Sequence, residues 1–178
     1  VTYNSISLTK AVGRAANTLT SEIWYLANPS SGSNTVSVDL SATDLCTVVA
    51  SSWNGIAQIN PVNITANNTG TGANPSTSLT STNSGCLIID ALTHELTSVG
   101  TIPSGTTTLN TTDEGVWTTY DIYLIQGVGG LQAFTYTINA DEWTHVMAAF
   151  RPSDGFIGAL AKTISQPTSA NFNQIVSV

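Results

Sequence analysis

Short runs of hydrophobic and β-branched residues alternate along the chain with clusters of Gly, Pro, Asn and Ser. In the clearest run, Val36, Val38 and Leu40 fall on one face of a period-two pattern, with polar residues between them. Such runs recur at the spacing typical of an antiparallel sandwich. They predict strands near residues 1–10, 20–27, 34–41, 44–53, 60–66, 75–81, 85–93, 117–126, 131–139 and 142–150.

The segments between these runs are predicted to be loops and turns. Residues 66–77 and 100–112 are rich in Thr, Asn, Gly and Ser and lack the apolar content of a core strand. The glycine-rich stretch 127–130 predicts a hairpin turn, and Pro152 ends the last strand because proline cannot donate to a ladder. The chain is therefore predicted to be all-β, an antiparallel two-sheet sandwich over residues 1–152.

The core of this sandwich is predicted from the inward positions of the alternating runs. Its members are Trp24, Leu26, Val36, Val38, Trp53, Ile88, Ile122, Leu124, Phe134, Trp143, Val146 and Phe150. Beyond Pro152 the pattern changes, so residues 153–178 are predicted to form a C-terminal extension with strand character.

Composition narrows the range of functions. Only 8% of the 178 residues are charged. An all-helical protein is therefore excluded, because exposed helix faces need many charged side chains. Four Lys and Arg stand against eleven Asp and Glu, a net charge of −7, so nucleic acid and anionic membranes are poor partners. No apolar run is long enough to span a membrane. Scarce Lys and abundant Thr and Asn favour an extracellular or cell-surface protein.

The sequence alone does not decide whether the cysteines form a disulfide or whether the sequon asparagines carry glycans. Cys46 and Cys86 lie in separate predicted strands, and they could form a disulfide or stay as two small buried residues. Asn63, Asn67 and Asn110 each begin a glycosylation sequon in a stretch that resembles a turn.

Catalytic and metal-binding motifs are absent from the sequence. Asp90 and His94 could be combined with a serine into a triad, but no nucleophile elbow accompanies them, and His145 stands in another run. Asp90, His94 and Glu95 would share a metal only on a helix, whereas the apolar run at 87–90 indicates a strand. The chain is predicted to be no enzyme and to need no cofactor.

Two weaker binding hypotheses come from acidic pairs and from tryptophans. Asp113–Glu114 and Asp141–Glu142 could hold calcium, although solvated acids in turns are the favoured interpretation. Aromatic faces could stack on a carbohydrate, but each tryptophan has apolar neighbours typical of a core. The four tryptophans are Trp24, Trp53, Trp117 and Trp143.

Several segments together carry a family resemblance. Trp24 to Pro29 spells W-Y-L-A-N-P, Ser52 to Pro61 follows, and Trp143 to Val146 spells W-T-H-V before Arg-Pro. With Val1 to Tyr3 they resemble the WYL-x-NP / W-x-H-V β-sandwich module of large secreted and surface-attached bacterial proteins, over residues 1–152. The resemblance implies an immunoglobulin- or jelly-roll-like sandwich that acts as a structural or adhesive building block.

The departures from that module suggest how copies would join. The module has one or two strands before its Val-Thr-Tyr strand, so an open sheet edge is expected here, and it ends where residues 153–178 begin. Phe172, Ile175, Val176 and Val178 are too apolar for a free tail and are predicted to form a donor strand. A strand that folds back gives a monomer, whereas one that enters a neighbour gives a homo-oligomer or a filament.

The leading hypothesis is therefore a self-assembling extracellular structural subunit, in a filament, tubule or pilus-like polymer joined by strand donation. A carbohydrate-binding or adhesin module is the first alternative. A virion surface protein is the second.

Overall fold

The computed structural model describes residues 1–41, 45–96 and 100–154, together with the backbone of residues 162–164. These residues form fourteen strands and no helix. The strands are β1 (Thr2–Tyr3), β2 (Ile6–Ser7), β3 (Thr9–Ala15), β4 (Thr20–Tyr25), β5 (Val36–Ser37), β6 (Ser51–Trp53), β7 (Val62–Gly70), β8 (Ser76–Ser81), β9 (Leu87–Glu95), β10 (Thr107–Asp113), β11 (Trp117–Ile125), β12 (Gly130–Thr135), β13 (Trp143–Phe150) and β14 (Lys162–Ile164).

A five-stranded antiparallel sheet in the order β10-β11-β9-β13-β7 lies at the centre of the fold. Its middle strands β9 and β13 are almost wholly buried, and in β13 no residue is exposed. Because successive side chains of a strand point to opposite faces, a strand without exposed positions must be covered on both sides. The prediction of an all-β antiparallel sandwich is confirmed, with a central sheet that is covered by smaller ones.

One face of the central sheet, here called the closed face, packs against the β8–β12 pair. Ile88, Leu92, Ile122 and Met147 from the sheet form one cluster with Leu79, Phe134, Tyr136 and Ile138. Every one of these side chains is buried.

The opposite face, here called the cavity face, is covered by two separate pieces. The β3–β4 hairpin brings Val12 and Ile23, and the β6 region brings Trp53 and Ile56. They pack on sheet residues that alternate with those of the closed face, namely Leu87, Ile89, Val146, Ala148 and Phe150. Because the cover is divided, it does not close the whole of this face.

The two edge strands of the central sheet are where the predictions were wrong. Residues 107–113 form β10 and residues 62–70 form β7, although most of the first and part of the second had been predicted as loops. Both strands expose polar side chains, as edge strands do to discourage pairing with other chains. A Thr- and Asn-rich edge strand therefore has the composition of a loop.

Two other local predictions need correction. The glycine stretch 127–130 joins β11 to β12, but β12 pairs with β8, so the turn passes between sheets and closes no hairpin. The strands predicted at 34–41 and 44–53 shorten to Val36–Ser37 and Ser51–Trp53.

Most of the predicted core is buried. The buried members are Val36, Trp53, Ile88, Ile122, Phe134, Trp143, Val146 and Phe150. The partly buried members are Trp24, Leu26, Val38 and Leu124, each packed at the margin of the fold. Gly70 lies against the Trp143 ring, where an added Cβ would come within 2.8 Å of Cζ2.

The C-terminal extension is described for three residues. Lys162, Thr163 and Ile164 form β14 and pair antiparallel with Trp53, Ser52 and Ser51 of β6. This segment pairs as a strand, and its partner lies in the same chain. Pairing with a neighbouring copy stays a prediction. Phe172, Ile175, Val176 and Val178 lie outside the described residues.

Candidate functional site

A polar network is sealed inside the closed face. His145 Nε2 donates to Asp90 Oδ2 at 2.6 Å, and the Tyr136 hydroxyl donates to Asp90 Oδ1. All three side chains have no exposed surface. Burial and the nearby Asp90 carboxylate raise the pKa of Tyr136 well above its ordinary value, so Tyr136 keeps its proton and remains a donor.

His94 lies on the closed face too, but apart from this pair. Its Nδ1 donates to the Glu95 carbonyl oxygen at 2.6 Å, and its ring stacks on Tyr120 with centroids 5.8 Å apart. Burial lowers the pKa of His94, which favours the neutral ring. The structure therefore joins Asp90 to His145 and not to His94, the histidine that the sequence had placed beside it.

The cavity face carries a cavity of about 470 Å³ between β4 and strands β9 to β11. The stretches 38–41 and 45–49 close its outer side. Trp117, Thr119 and Asp121 line it because alternate residues of β11 share a face, and Ile89, Ala91 and Thr93 line it for the same reason on β9. Its volume lies in the range of pockets that hold small molecules, about 300–1,000 Å³.

Hydroxyl groups form a ladder beside this cavity. Ser21 Oγ lies 2.7 Å from Thr144 Oγ1 and donates to Thr93 Oγ1 at 3.0 Å. Thr93 Oγ1 is 3.4 Å from Thr119 Oγ1. The ladder ties β4 to the sheet by polar contacts where the rest of the cover is apolar.

Asp121 is the one ladder neighbour whose polar group is not satisfied. Its Oδ2 is buried and has no hydrogen-bond partner among the described residues. Burial, and next the Asp90 charge, raise the pKa of Asp121 to about 7. Sequence analysis missed this residue, although an acid between Tyr120 and Ile122 in an apolar strand was the available signal.

The acidic pairs proposed for calcium occupy turns and strand ends. Asp113 Oδ1 accepts from the Gly115 amide at 2.9 Å, and Asp141 Oδ1 accepts from the Glu142 amide at 2.9 Å. Glu142 also accepts from Asn17 at 2.7 Å, while Glu95 accepts from Thr18. Across the described residues, no three His, Cys, Asp or Glu side chains are grouped as metal ligands.

The cysteines do not form the disulfide that the sequence left open. Cys46 is exposed and Cys86 is buried, and both are thiols. Cys86 Sγ donates to the Asn83 carbonyl at 3.3 Å, and burial raises the pKa of this thiol. The two lie in different surroundings, because Cys86 belongs to the closed-face cluster and Cys46 lines the cavity.

The three sequons lie on strands rather than in turns. Asn63 and Asn67 belong to β7 and Asn110 belongs to β10. The Asn67 side chain is exposed, whereas Asn63 is held by Thr82 at 2.8 Å and Asn83 at 2.7 Å. Whether any of them carries a glycan stays a prediction.

The four tryptophans do not form one platform. Trp53 and Trp143 are buried in opposite faces of the fold. Trp24 and Trp117 line the cavity, but Lys10 Nζ covers the Trp24 ring at 5.0 Å. Trp117 Nε1 points to Thr47 Oγ1 at 3.4 Å.

Comparisons with known proteins do not extend this description. No protein-family model matches the chain, and no curated protein matches it. Among solved structures it is similar to the tripod (BppUct-A-L) from the baseplate of bacteriophage Tuc2009, at 16% identity and a TM-score of 0.36. The likeness covers 70% of this chain and 79% of that one, and at so low a TM-score nothing about this chain's role follows from it. In the part of the chain that the structure describes, no helix is long and apolar enough to cross a membrane.

Proposed function

We propose that this protein is an extracellular structural subunit whose copies are joined by exchange of the C-terminal strand. The observation that carries the proposal is the pairing of β14 with β6. Within the described residues, β6 has no other strand as a neighbour. One edge of β6 is therefore completed by a strand that comes from the far end of the chain.

The pairing can be made between copies as readily as within one. Eleven residues separate β13 from β14, and an extended chain covers about 3.3–3.6 Å per residue, or some 35–40 Å. A linker of that reach can deliver the same strand to the β6 of a second molecule, with the same backbone hydrogen bonds. Exchange of an identical element is a low-cost route to oligomers, and a head-to-tail exchange that does not close builds a filament.

A non-catalytic role is part of this proposal. The Asp90–His145 pair has the chemistry of a general base, but both side chains have no exposed surface, so a substrate could not reach them. The extracellular location rests on the scarcity of charge and the abundance of Thr and Asn. A place on a virion surface is compatible with the same subunit role.

A carbohydrate-binding or adhesin module is the weaker alternative. It depends on Trp24 and Trp117, since the other two tryptophans belong to the core. Because Lys10 already covers one face of Trp24, stacking on a sugar is less available there than the sequence suggested.

Strand exchange can be tested by cross-linking positions 52 and 163, which are directly opposed in the β6–β14 register. One chain carries Ser52→Cys and a second carries Thr163→Cys, both with Cys46→Ser to remove the exposed native thiol. After mixing and oxidation, we expect a covalent heterodimer on a non-reducing gel. A chain carrying both cysteines should form a ladder of multimers, and electron microscopy should show regular assemblies.

The matched control replaces Ser52→Cys by Ser78→Cys, an exposed position on β8, which does not pair with β14. It should give no heterodimer with the Thr163→Cys chain. Deleting residues 162–178, and β14 with them, should abolish assembly but leave a soluble, less stable sandwich. If the double variant gives only an internally bridged monomer and the mixed single variants stay separate, strand exchange is wrong.

A further inference from the structure

The cavity face has acidic but no basic side chains in the described lining of its cavity. This charge pattern bears on ligand binding, independently of how copies assemble. Among the described residues of the cavity lining, Glu22 and Asp121 are the carboxylates and no Lys, Arg or His occurs. Glu22 is already neutralised, because Lys10 Nζ lies 2.6 Å from its Oε1 and Trp24 Nε1 donates to its Oε2 at 2.8 Å. No basic side chain of the described residues pairs with Asp121.

The charged form of Asp121 is disfavoured where it lies. Its Oδ2 has no hydrogen-bond donor among the described residues, and burial raises the pKa of its carboxyl group. The Asp90 carboxylate, on the neighbouring strand, adds repulsion. Both effects would be relieved by a positively charged donor placed in the cavity beside Asp121.

The other residues of the cavity lining indicate the chemistry of the rest of the ligand. Ile23, Ile89, Ala91 and Leu109 supply aliphatic walls. The hydroxyls of Thr93 and Thr119 lie on the same face as Asp121 and can accept further N–H bonds. The site therefore suits a compact apolar body with one cationic head.

We propose that this cavity binds a small organic ammonium ion, whose N–H groups donate to Asp121 and whose apolar body packs against Ile23, Ile89 and Leu109. An anion is disfavoured by the absence of basic side chains from the described lining. A metal ion would need several ligands, and no group of three such side chains occurs among the described residues. A neutral sugar would leave the Asp121 charge unpaired, and its aromatic platform at Trp24 is covered by Lys10.

The experiment uses titration calorimetry on the full chain with two probes of the same shape, 2-phenylethylammonium and the neutral 2-phenylethanol. We expect the ammonium ion to bind and the alcohol to bind much more weakly. Asp121→Asn should weaken ammonium binding about tenfold to a hundredfold, the usual range for losing a charge-assisted hydrogen bond. Leu109→Trp, which fills the cavity but keeps the carboxylate, should abolish binding.

Asp113→Asn is the matched control, since it is the same substitution on β10, outside the cavity lining. It should bind the ammonium ion as the unchanged protein does. Circular dichroism of each variant shows that a loss of binding is not a loss of fold. The proposal is overturned if the alcohol binds as tightly as the amine, if Asp121→Asn binds unchanged, if a panel of primary ammonium ions gives no heat, or if a neutral monosaccharide binds in their place.

Discussion

The two faces of the central sheet bury carboxylates in different ways, although His94 Nε2 and His145 Nδ1 on the closed face are also buried without a partner among the described residues. On the closed face, one continuous cover seals Asp90 together with Tyr136 and His145, and both carboxylate oxygens accept a hydrogen bond. On the cavity face, the cover is divided between the β3–β4 hairpin and the β6 region, and Asp121 is left with an unsatisfied oxygen. Two aspartates on neighbouring strands, Asp90 and Asp121, thus differ in whether their carboxylate oxygens are hydrogen-bonded.

This difference separates groups that stabilise the fold from groups that are available for binding. A buried charge that is paired and hydrogen-bonded specifies how the elements around it must pack. A buried charge without a partner weakens the fold, and it persists beside an open space that a ligand can enter. The closed face is therefore the structural half of the protein, and the cavity face is the half on which we place recognition.

The largest expected effect comes from breaking the closed-face network. Asp90→Ala would leave His145 Nε2 and the Tyr136 hydroxyl buried without an acceptor. Removing one partner of a buried pair typically costs about 3–5 kcal/mol. Urea unfolding followed by tryptophan fluorescence should show a loss of this size.

Asp39→Ala is the control, because Asp39 is an exposed aspartate outside the strands. It should change the free energy of unfolding by less than about 0.5 kcal/mol. A loss under about 1 kcal/mol for Asp90→Ala would mean that the network contributes little and that the two faces are alike.

The sequence predicted the apolar core of the central strands better than the polar lining of the cavity, for a physical reason. Strands β9 and β13 are covered on both sides, so Ile88 on the closed face and Val146 and Phe150 on the cavity face were identified by pattern alone. Asp121 and Ser21 were not singled out, because their burial depends on which distant strand covers them. The polar edges β7 and β10 were partly mistaken for loops, since exposure gives a strand and a loop the same composition.

The second-largest expected effect is a gain in the free energy of unfolding when Asp121 is replaced. Its pKa rises from 3.8 to about 7 on folding, so the folded state holds the proton more tightly than the unfolded state does. The related stability is full below pH 3.8 and is lost as the pH rises through about 7. Asp121→Asn removes this loss and should stabilise the protein by about 1–2 kcal/mol at pH 8, because the partly exposed side chain keeps some of its solvation.

The measurement is the difference in unfolding free energy between the two proteins at pH 5 and pH 8. The advantage of Asp121→Asn should grow with pH over that interval. A difference that is flat, or that grows toward low pH, would show that Asp121 is already ionised and satisfied in the folded protein.

The smallest expected effect tests whether the hydroxyl ladder compensates for the divided cover. Ser21→Ala removes the partner of the fully buried Thr144 hydroxyl and should cost about 0.5–1.5 kcal/mol. Thr144→Val should cost a similar amount, because it leaves Ser21 with one partner fewer. The double variant removes both groups, so it should cost less than the sum of the single variants, as expected for residues in contact.

Ser78→Ala, at an exposed strand position, is the control and should be nearly neutral. Additive losses in the double variant would mean that the two hydroxyls act separately and that the Ser21–Thr144 contact itself contributes nothing.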